Sequence, residues 1–293
     1  MKTAVVVMAY GSPSRAEDVG AYLQDIRGGR PVSAEAVAEL EERYRRIGGG
    51  SPLNEITERQ RAALEAELGL PVYVGMKHWT PRISEAAERA LADGAEQIVG
   101  LVLAPHFSRM SIGGYRRQLE EALAHRAELT FIANYHAYEP FIELLAARLG
   151  DTDAHVVFTA HSLPERILAD SDPYKDQLLE TSRLVADTAQ LESWSFAFQS
   201  ASPSGEPWLG PDILEELERL HGEGIRDVLV EPIGFVADHL EIYWDIDIEA
   251  REKADELGLK LERTESLNDD PAFIRVLAGV VQQQPAHPYV PAS

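Results

Sequence analysis

A histidine at the end of one apolar run and a train of carboxylates further along the chain are the residues best placed to do chemistry. His161 stands in Thr-Ala-His-Ser-Leu-Pro, where a strand-like segment gives way to a loop. A neutral imidazole there can accept a proton near pH 7 or bind a borderline metal ion; it can equally fix the turn through a hydrogen bond. The second group runs from Asp238 to Glu249 as Asp-His-Leu-Glu-Ile-Tyr-Trp-Asp-Ile-Asp-Ile-Glu. Wound as an α-helix at about 100° per residue, Leu240, Tyr243, Ile246, Ala250, Ala254 and Leu257 form an apolar stripe. Asp238, Glu241, Asp245, Glu249, Glu252 and Glu256 then gather within about 80° on the other side. Such an arc is either the solvated face of an amphipathic helix or a carboxylate ladder. A ladder repels itself by a few tenths of a kcal/mol per pair unless protons or cations occupy it, and hard oxygen ligands in a row suit a divalent ion. Tyr10, closing Val-Val-Val-Met-Ala-Tyr, adds a phenolic oxygen. Arg27 and Arg30, and Arg43, Arg45 and Arg46 before Gly48-Gly-Gly, fit either anion capture or plain helix C-termini capped by glycine.

The elements that must hold these groups are short β-rich runs alternating with longer amphipathic segments. That alternation predicts an α/β fold with a mostly parallel sheet. The expected strands are Thr3–Ala9, Pro71–Lys77, Gln97–Ala104, Leu129–Ala133, His155–Ala160, Ser193–Gln199, Arg226–Pro232 and Leu259–Arg263. Helical patterns cover Ala16–Ile26, Ala34–Ile47, Asn54–Leu68, Ile83–Asp93, Pro173–Leu191, Pro211–His221 and Pro271–Gln283, with a Pro-containing, loosely docked tail from Pro285. The chain also repeats itself. Val5–Arg15 (VVVMAYGSPSR) faces His155–Arg166 (HVVFTAHSLPER). Trp79-Thr-Pro-Arg-Ile faces Trp208-Leu-Gly-Pro-Asp-Ile, and Leu103-Ala-Pro faces Val230-Glu-Pro. Three matches in one order predict two similar halves, near 1–150 and 151–265. Residues 266–293 are then left as a C-terminal helix and tail that pack back on the first half. Ligands collect outside the carboxyl ends of strands in open α/β sheets, so Tyr10 and His161 would approach one cleft from opposite walls.

Composition narrows the function. The 293 residues contain no cysteine, which excludes disulfides, a thiol nucleophile and a cysteine-ligated iron–sulfur cluster. Forty-nine acidic against 27 basic residues give a formal charge of −22, so nucleic acid is not an expected partner. No Gly-x-Gly-x-x-Gly follows a strand, which leaves nucleotide binding without support. No apolar run approaches the ~18 residues of a membrane span, and the chain opens directly on a strand, so a soluble cytoplasmic protein is expected. His78, His106 and His136 lack metal-ligand spacing and read as structural or cleft-lining.

Taken together, several stretches resemble the ferrochelatase family over nearly the whole chain. They are Met8-Ala-Tyr-Gly-Ser-Pro, Arg43-Tyr44, Ile47-Gly-Gly-Gly-Ser-Pro-Leu, Gly75-Met-Lys-His-Trp-Thr-Pro, Leu103-Ala-Pro-His-Phe-Ser, Ala160-His-Ser-Leu-Pro, Asp172-Pro-Tyr, Trp208-Leu-Gly-Pro and Gly234-Phe-Val-Ala-Asp-His-Leu-Glu. The pattern is most similar to the bacterial soluble, monomeric branch that inserts iron into coproporphyrin III. The resemblance implies two Rossmann-like halves of chelatase type with a porphyrin cleft between them. It implies catalytic roles for His161 and Glu241, which would also meet the iron, and an outer acidic metal site at Asp245 and Glu249. It implies porphyrin contacts for Tyr10, Arg27, Arg43, Ser51 and Tyr115, with ferrous iron as substrate and no tightly bound cofactor. Gly28 stands where relatives often carry a second arginine, which weakens anion recognition on that side. Protoporphyrin IX as substrate, a related chelatase loading another metal, and a non-catalytic haem or porphyrin carrier are the competing readings. A carrier needs no proton acceptor, and the presence of both His161 and Glu241 argues against it.

Overall fold

A computed structural model describes residues 1–202 and 205–283; the expected tail from Pro285 lies outside the described residues. All eight expected strands form: β1 (Thr3–Ala9), β2 (Val72–Met76), β3 (Gln97–Val102), β4 (Glu128–Ile132), β5 (His155–His161), β6 (Trp194–Gln199), β7 (Asp227–Glu231) and β8 (Lys260–Arg263). They make two four-stranded parallel sheets of the same order, β2-β1-β3-β4 and β6-β5-β7-β8. Residues Val5–Ala9 and Val156–Ala160 are buried without alternation. Continuous apolar runs are what central parallel strands need when helices cover both faces.

The helices are α1 (Val19–Ile26), α2 (Ala34–Arg46), α3 (Leu53–Leu68), α4 (Ile83–Ala92), α5 (Ile112–Leu123), α6 (Glu139–Leu149), α7 (Tyr174–Ala189), α8 (Ile213–Gly222), α9 (Arg251–Leu257) and α10 (Pro271–Gln283). The expected helix 16–26 is split, its first residues forming a 3₁₀ turn at Ala16–Asp18. On one face of the first sheet, Val6, Met8, Ile98 and Val102 pack on Ile83, Ala86 and Leu119 from α4 and α5. On the other, Val5 and Val7 join a core that continues through Phe141 and Phe273 to Val156 and Phe158 of the second sheet. Helix α10 closes that core against α3 and α6, and Gln60 of α3 donates to the Asn268 carbonyl at 2.7 Å.

The internal repeat holds at the level of single hydrogen bonds. Met76 N–H donates to the Pro81 carbonyl (2.7 Å), and Phe198 N–H to that of Pro211 (2.8 Å). Glu85 accepts from the Arg82 N–H at 2.5 Å, and Glu215 from the Asp212 N–H at 3.1 Å, so α4 and α8 start with the same third-residue glutamate reaching back. Among the described residues each half also carries one cis X-Pro bond, Thr80–Pro81 and Gly210–Pro211.

One expected element differs. The acidic segment does not continue as an α-helix: Ile242–Ala250 is a π-helix, and α9 follows it. With i→i+5 bonding the turn widens and the apolar stripe rotates. Trp244 and Asp245 turn inward beside Ile242 and Ile246, while Tyr243 is only partly buried. Nor do the acids share one solvated face. Asp238 accepts from Ser266 and Asn268, Glu252 pairs with Arg46 at 2.7 Å, and Asp245 is 6% exposed.

A second buried acid lies at the end of β7. Glu231 is 4% exposed, and burial pushes its carboxyl up to about 7 against the pull of Arg148 and Arg263. In the unfolded chain the group ionises near 4.5. Between those values the folded state holds the extra proton, so stability falls as pH rises through the window, by about 3 kcal/mol in full. Glu231→Gln is therefore expected to raise the urea midpoint at pH 8 and to leave it nearly unchanged at pH 4.5. An equal shift at both pH values would show that the acid is not held protonated by the fold.

Candidate active site

The two central strands, β1 and β5, deliver Tyr10 and His161 from their carboxyl ends into one cavity of about 320 Å³. Two glycines make those ends possible. Gly11, at φ +85°, turns the chain after Tyr10, and an added Cβ would lie 2.7 Å from Trp79 Cβ. A Cβ on Gly234 would lie 2.5 Å from Ala160 Cβ, so only glycine lets the segment after β7 cross beside His161. The segment then carries Phe235, His239 and Glu241 onto the same cavity wall.

His161 is held by its own turn. Its Nδ1–H donates to the Ser162 carbonyl, and Tyr174 donates its hydroxyl to the His161 carbonyl at 2.9 Å. Ser162 donates through its hydroxyl to Leu209 and through its N–H to Gln199, both at 2.7 Å. Nε2 is thereby left facing the Glu241 carboxylate at 3.6 Å. On its other oxygen Glu241 meets His239 Nε2 at 3.5 Å, while His239 Nδ1–H donates to the Ala237 carbonyl at 2.9 Å. A carboxylate is thus flanked by two imidazoles, each with its other nitrogen fixed by a backbone carbonyl. The His161 and Glu241 side chains remain about a third open to the cavity, at 32% and 37%.

Burial disfavours charge on either partner, but their mutual attraction outweighs it: His161 is raised and Glu241 lowered from their ordinary values. At neutral pH the pair is an imidazolium beside a carboxylate. The Glu241 charge reaches across the cleft. Tyr10 and Tyr174 are pushed up by burial first and Glu241 next, and Tyr115 also feels it.

Five of the sequence-derived site residues line this cavity: Tyr10, Ser51, Tyr115, His161 and Glu241. Asp245 stands one step behind Glu241. It is held by Ser200 and by Gln199 Nε2 (3.3 Å), and it is pushed up to about 6 by burial and then by the Glu241 charge. Glu249 follows four residues on along the π-helix. Among the described residues no group of three or more His, Asp or Glu stands close enough to hold an ion. Arg27 and Arg43 do not line the cavity. Arg27 is exposed at the end of α1. Arg43 and Arg46 stack on the Trp244 ring at 5.1 and 5.0 Å, and Arg43 pairs with Glu39 at 2.9 Å. Gly49 N–H donates to the Tyr44 carbonyl at 2.8 Å, so the glycine run caps α2.

Sequence reasoning gave no role to His239, to Lys77, or to the wall tyrosines Tyr22, Tyr44 and Tyr174. The signal for His239 was its position two residues before Glu241. Lys77 could have been found as a cation directly after a strand. His106 lines the cavity, His78 bonds Asp25 at 2.9 Å beside the Tyr10 ring, and His136 is buried between Asn134 and Glu180.

Two like sheets, a shared cleft and a strand-end imidazole–carboxylate pair define an α/β protein of chelatase type. A solved structure of that fold, SirB from Bacillus subtilis with Fe3+, superposes with a TM-score of 0.63 over 98% of this chain and 96% of the other at 13% identity. The chain belongs to the ferrochelatase family, metal chelatases of haem biosynthesis, whose family model matches residues 2–285. It is 45% identical to the ferrochelatase of Herpetosiphon aurantiacus, covering 97% of this chain and 99% of the relative. It is 38% identical to the coproporphyrin III ferrochelatase of Oceanobacillus iheyensis, covering 97% of each.

Proposed function

We propose that the protein inserts ferrous iron into free-base coproporphyrin III, with His161 and Glu241 as the catalytic pair. The observation that carries this reading is the 3.6 Å contact between His161 Nε2 and Glu241 inside an aromatic-walled cleft. The reaction to be served is Fe2+ plus porphyrin giving iron-porphyrin and two protons. A flat ring gripped between the β1 and β5 ends can be held off planarity, at a few kcal/mol drawn from contacts away from the nitrogens. Bending exposes pyrrole lone pairs to the metal and presents N–H groups to a base.

Glu241 offers a carboxylate that stays ionised. His161 offers Nε2 once its resting proton has left, and the two then receive the pyrrole protons or steady the incoming ion. Asp245 and Glu249, next along the π-helix, link this pair to solvent. Their carboxylates, in a chain of charge −22, attract a divalent ion toward the cleft. The coproporphyrin choice is supported by relatives named for that substrate at 37–38% identity and by Tyr10, whose phenolic oxygen shares the cavity. The same reading has residues 1–150 and 151–265 act as the two jaws of a cytoplasmic monomer. A large net charge keeps copies apart.

Anaerobic incubation of the purified protein with ferrous iron, and coproporphyrin III or protoporphyrin IX offered separately, tests the reading. A metallated Soret band appearing faster with coproporphyrin III is expected. Preference for protoporphyrin IX would reassign the substrate, and metallation of neither would remove the activity.

A further inference from the structure

Among the described residues Lys77 is the one lysine or arginine that lines the active-site cavity. It follows β2 directly, and its N–H donates to the Ala9 carbonyl at 2.9 Å, beside Tyr10. The side chain runs along the cleft wall, with Nζ 4.9 Å from the Tyr115 ring centroid and 5.8 Å from that of Tyr10. Its nearest acceptor is the Ser111 carbonyl at a long 3.4 Å. In a chain with 49 acidic side chains, no carboxylate among the described residues reaches this ammonium as an ion-pair partner. The charge beside it is instead that of Arg117, of like sign. Burial first, and Arg117 second, lower the lysine to about 8, so at neutral pH it is still largely charged and undercompensated.

The space around it is made by a glycine. A Cβ on Gly114, in the first turn of α5, would stand 3.0 Å from Nζ and 3.1 Å from Cε. Cations stacked near aromatic faces are stabilised only modestly, which does not replace lost hydration or a missing anion. A half-buried cation with a satisfied carboxylate would be a structural ion pair. One without, opening on a substrate cleft, has its partner supplied by what binds there.

We propose that Lys77 forms an anion subsite that takes one carboxylate substituent of the tetrapyrrole. It thereby favours a ring bearing four carboxylates over one bearing two. The inference rests on the porphyrin reading above and adds a specificity-determining residue to it. It also offsets the lack of cavity-lining arginines: Arg43 is committed to Trp244 and Glu39, and Arg27 is on the outside.

The test is iron-free binding, read by quenching of porphyrin fluorescence, for coproporphyrin III and protoporphyrin IX in parallel. One charge-assisted contact is worth roughly tenfold or more in affinity. Lys77→Met is expected to weaken coproporphyrin III by about tenfold or more and protoporphyrin IX by under about threefold. Lys77→Arg should restore most of the difference. Lys77→Gln, one atom shorter in reach, polar and uncharged, serves as a second variant, and melting curves verify that each chain is folded. Equal losses for both porphyrins, or none for coproporphyrin III, would overturn the subsite. Native protein that binds coproporphyrin III yet never metallates it would sink the activity instead, and the affinity ratios would still judge the lysine.

Discussion

Replacing His161 with alanine is expected to slow iron insertion by about 10²–10⁴-fold, the range of a lost general base, while coproporphyrin III still binds about as well as to the native chain. The split follows from geometry. His161 contributes Nε2 at the cavity surface, and its Nδ1 is spent on the Ser162 carbonyl. The cleft wall that grips a ring is built largely by other residues, among them Tyr10, Tyr115 and Tyr174. Removing the imidazole leaves Glu241 about a third open to the cavity, at 37%, with His239 Nε2 beside it at 3.5 Å. The carboxylate therefore stays ionised, but the group that passes the proton on is gone. Single-turnover metallation under nitrogen, paired with fluorescence titration of the free base, separates the two effects. Near-native turnover would remove His161 from the mechanism, and a parallel loss of binding would make it a structural residue of the wall.

Glu241→Gln is expected to cost about 10²-fold or more in rate and also to change how the rate depends on pH. In the native pair the Glu241 charge holds the His161 proton, raising the imidazole from 6.5 to about 9. A base is active only when unprotonated, so native turnover should climb with pH through neutrality. The amide keeps the shape and removes the charge, leaving burial, which lowers the imidazole, against the smaller upward pull of the Ser162 carbonyl and Asp245. The acid limb then moves to lower pH, and the variant's deficit is larger at pH 8.5 than at pH 6.5. Rates measured across that interval check the sign. A pH profile that drops in height without moving would mean that Glu241 does not govern the His161 proton.

The π-helix is the main departure from the local pattern. A wheel at 3.6 residues per turn put Asp245 and Tyr243 on the wrong sides, because nothing local in Ile242–Ala250 announces i→i+5 bonding. The wider turn is what buries Asp245 behind Glu241 and lets its carboxyl keep a proton to about pH 6. The surroundings of the arginines depend on a distant partner. Arg43 and Arg46 have the residue type for carboxylate capture, but Trp244 lies about 200 positions away in sequence and offers them a ring face instead. Spacing carries no information about such a partner.

Strand identity, the likeness of the two halves, and the approach of Tyr10 and His161 to one cleft were legible because each is written in strand pattern and in repeated turn residues. Buried parallel strands must be continuously apolar, and a duplicated unit writes its turn residues twice. Glu241 was legible as the acid partner of His161 through the family resemblance, but its contact geometry was not. What made it one arm of a proton-holding pair was the crossing of the chain after β7 over Ala160, at a point where only Gly234 fits. Lys77 likewise acquired meaning only when Tyr115 and Gly114, some 40 residues on, were folded beside it without a carboxylate. Local sequence set the elements and the kinds of group at their ends. Distances between groups on different elements, and hence their charges, were fixed by the packing of two sheets through one core.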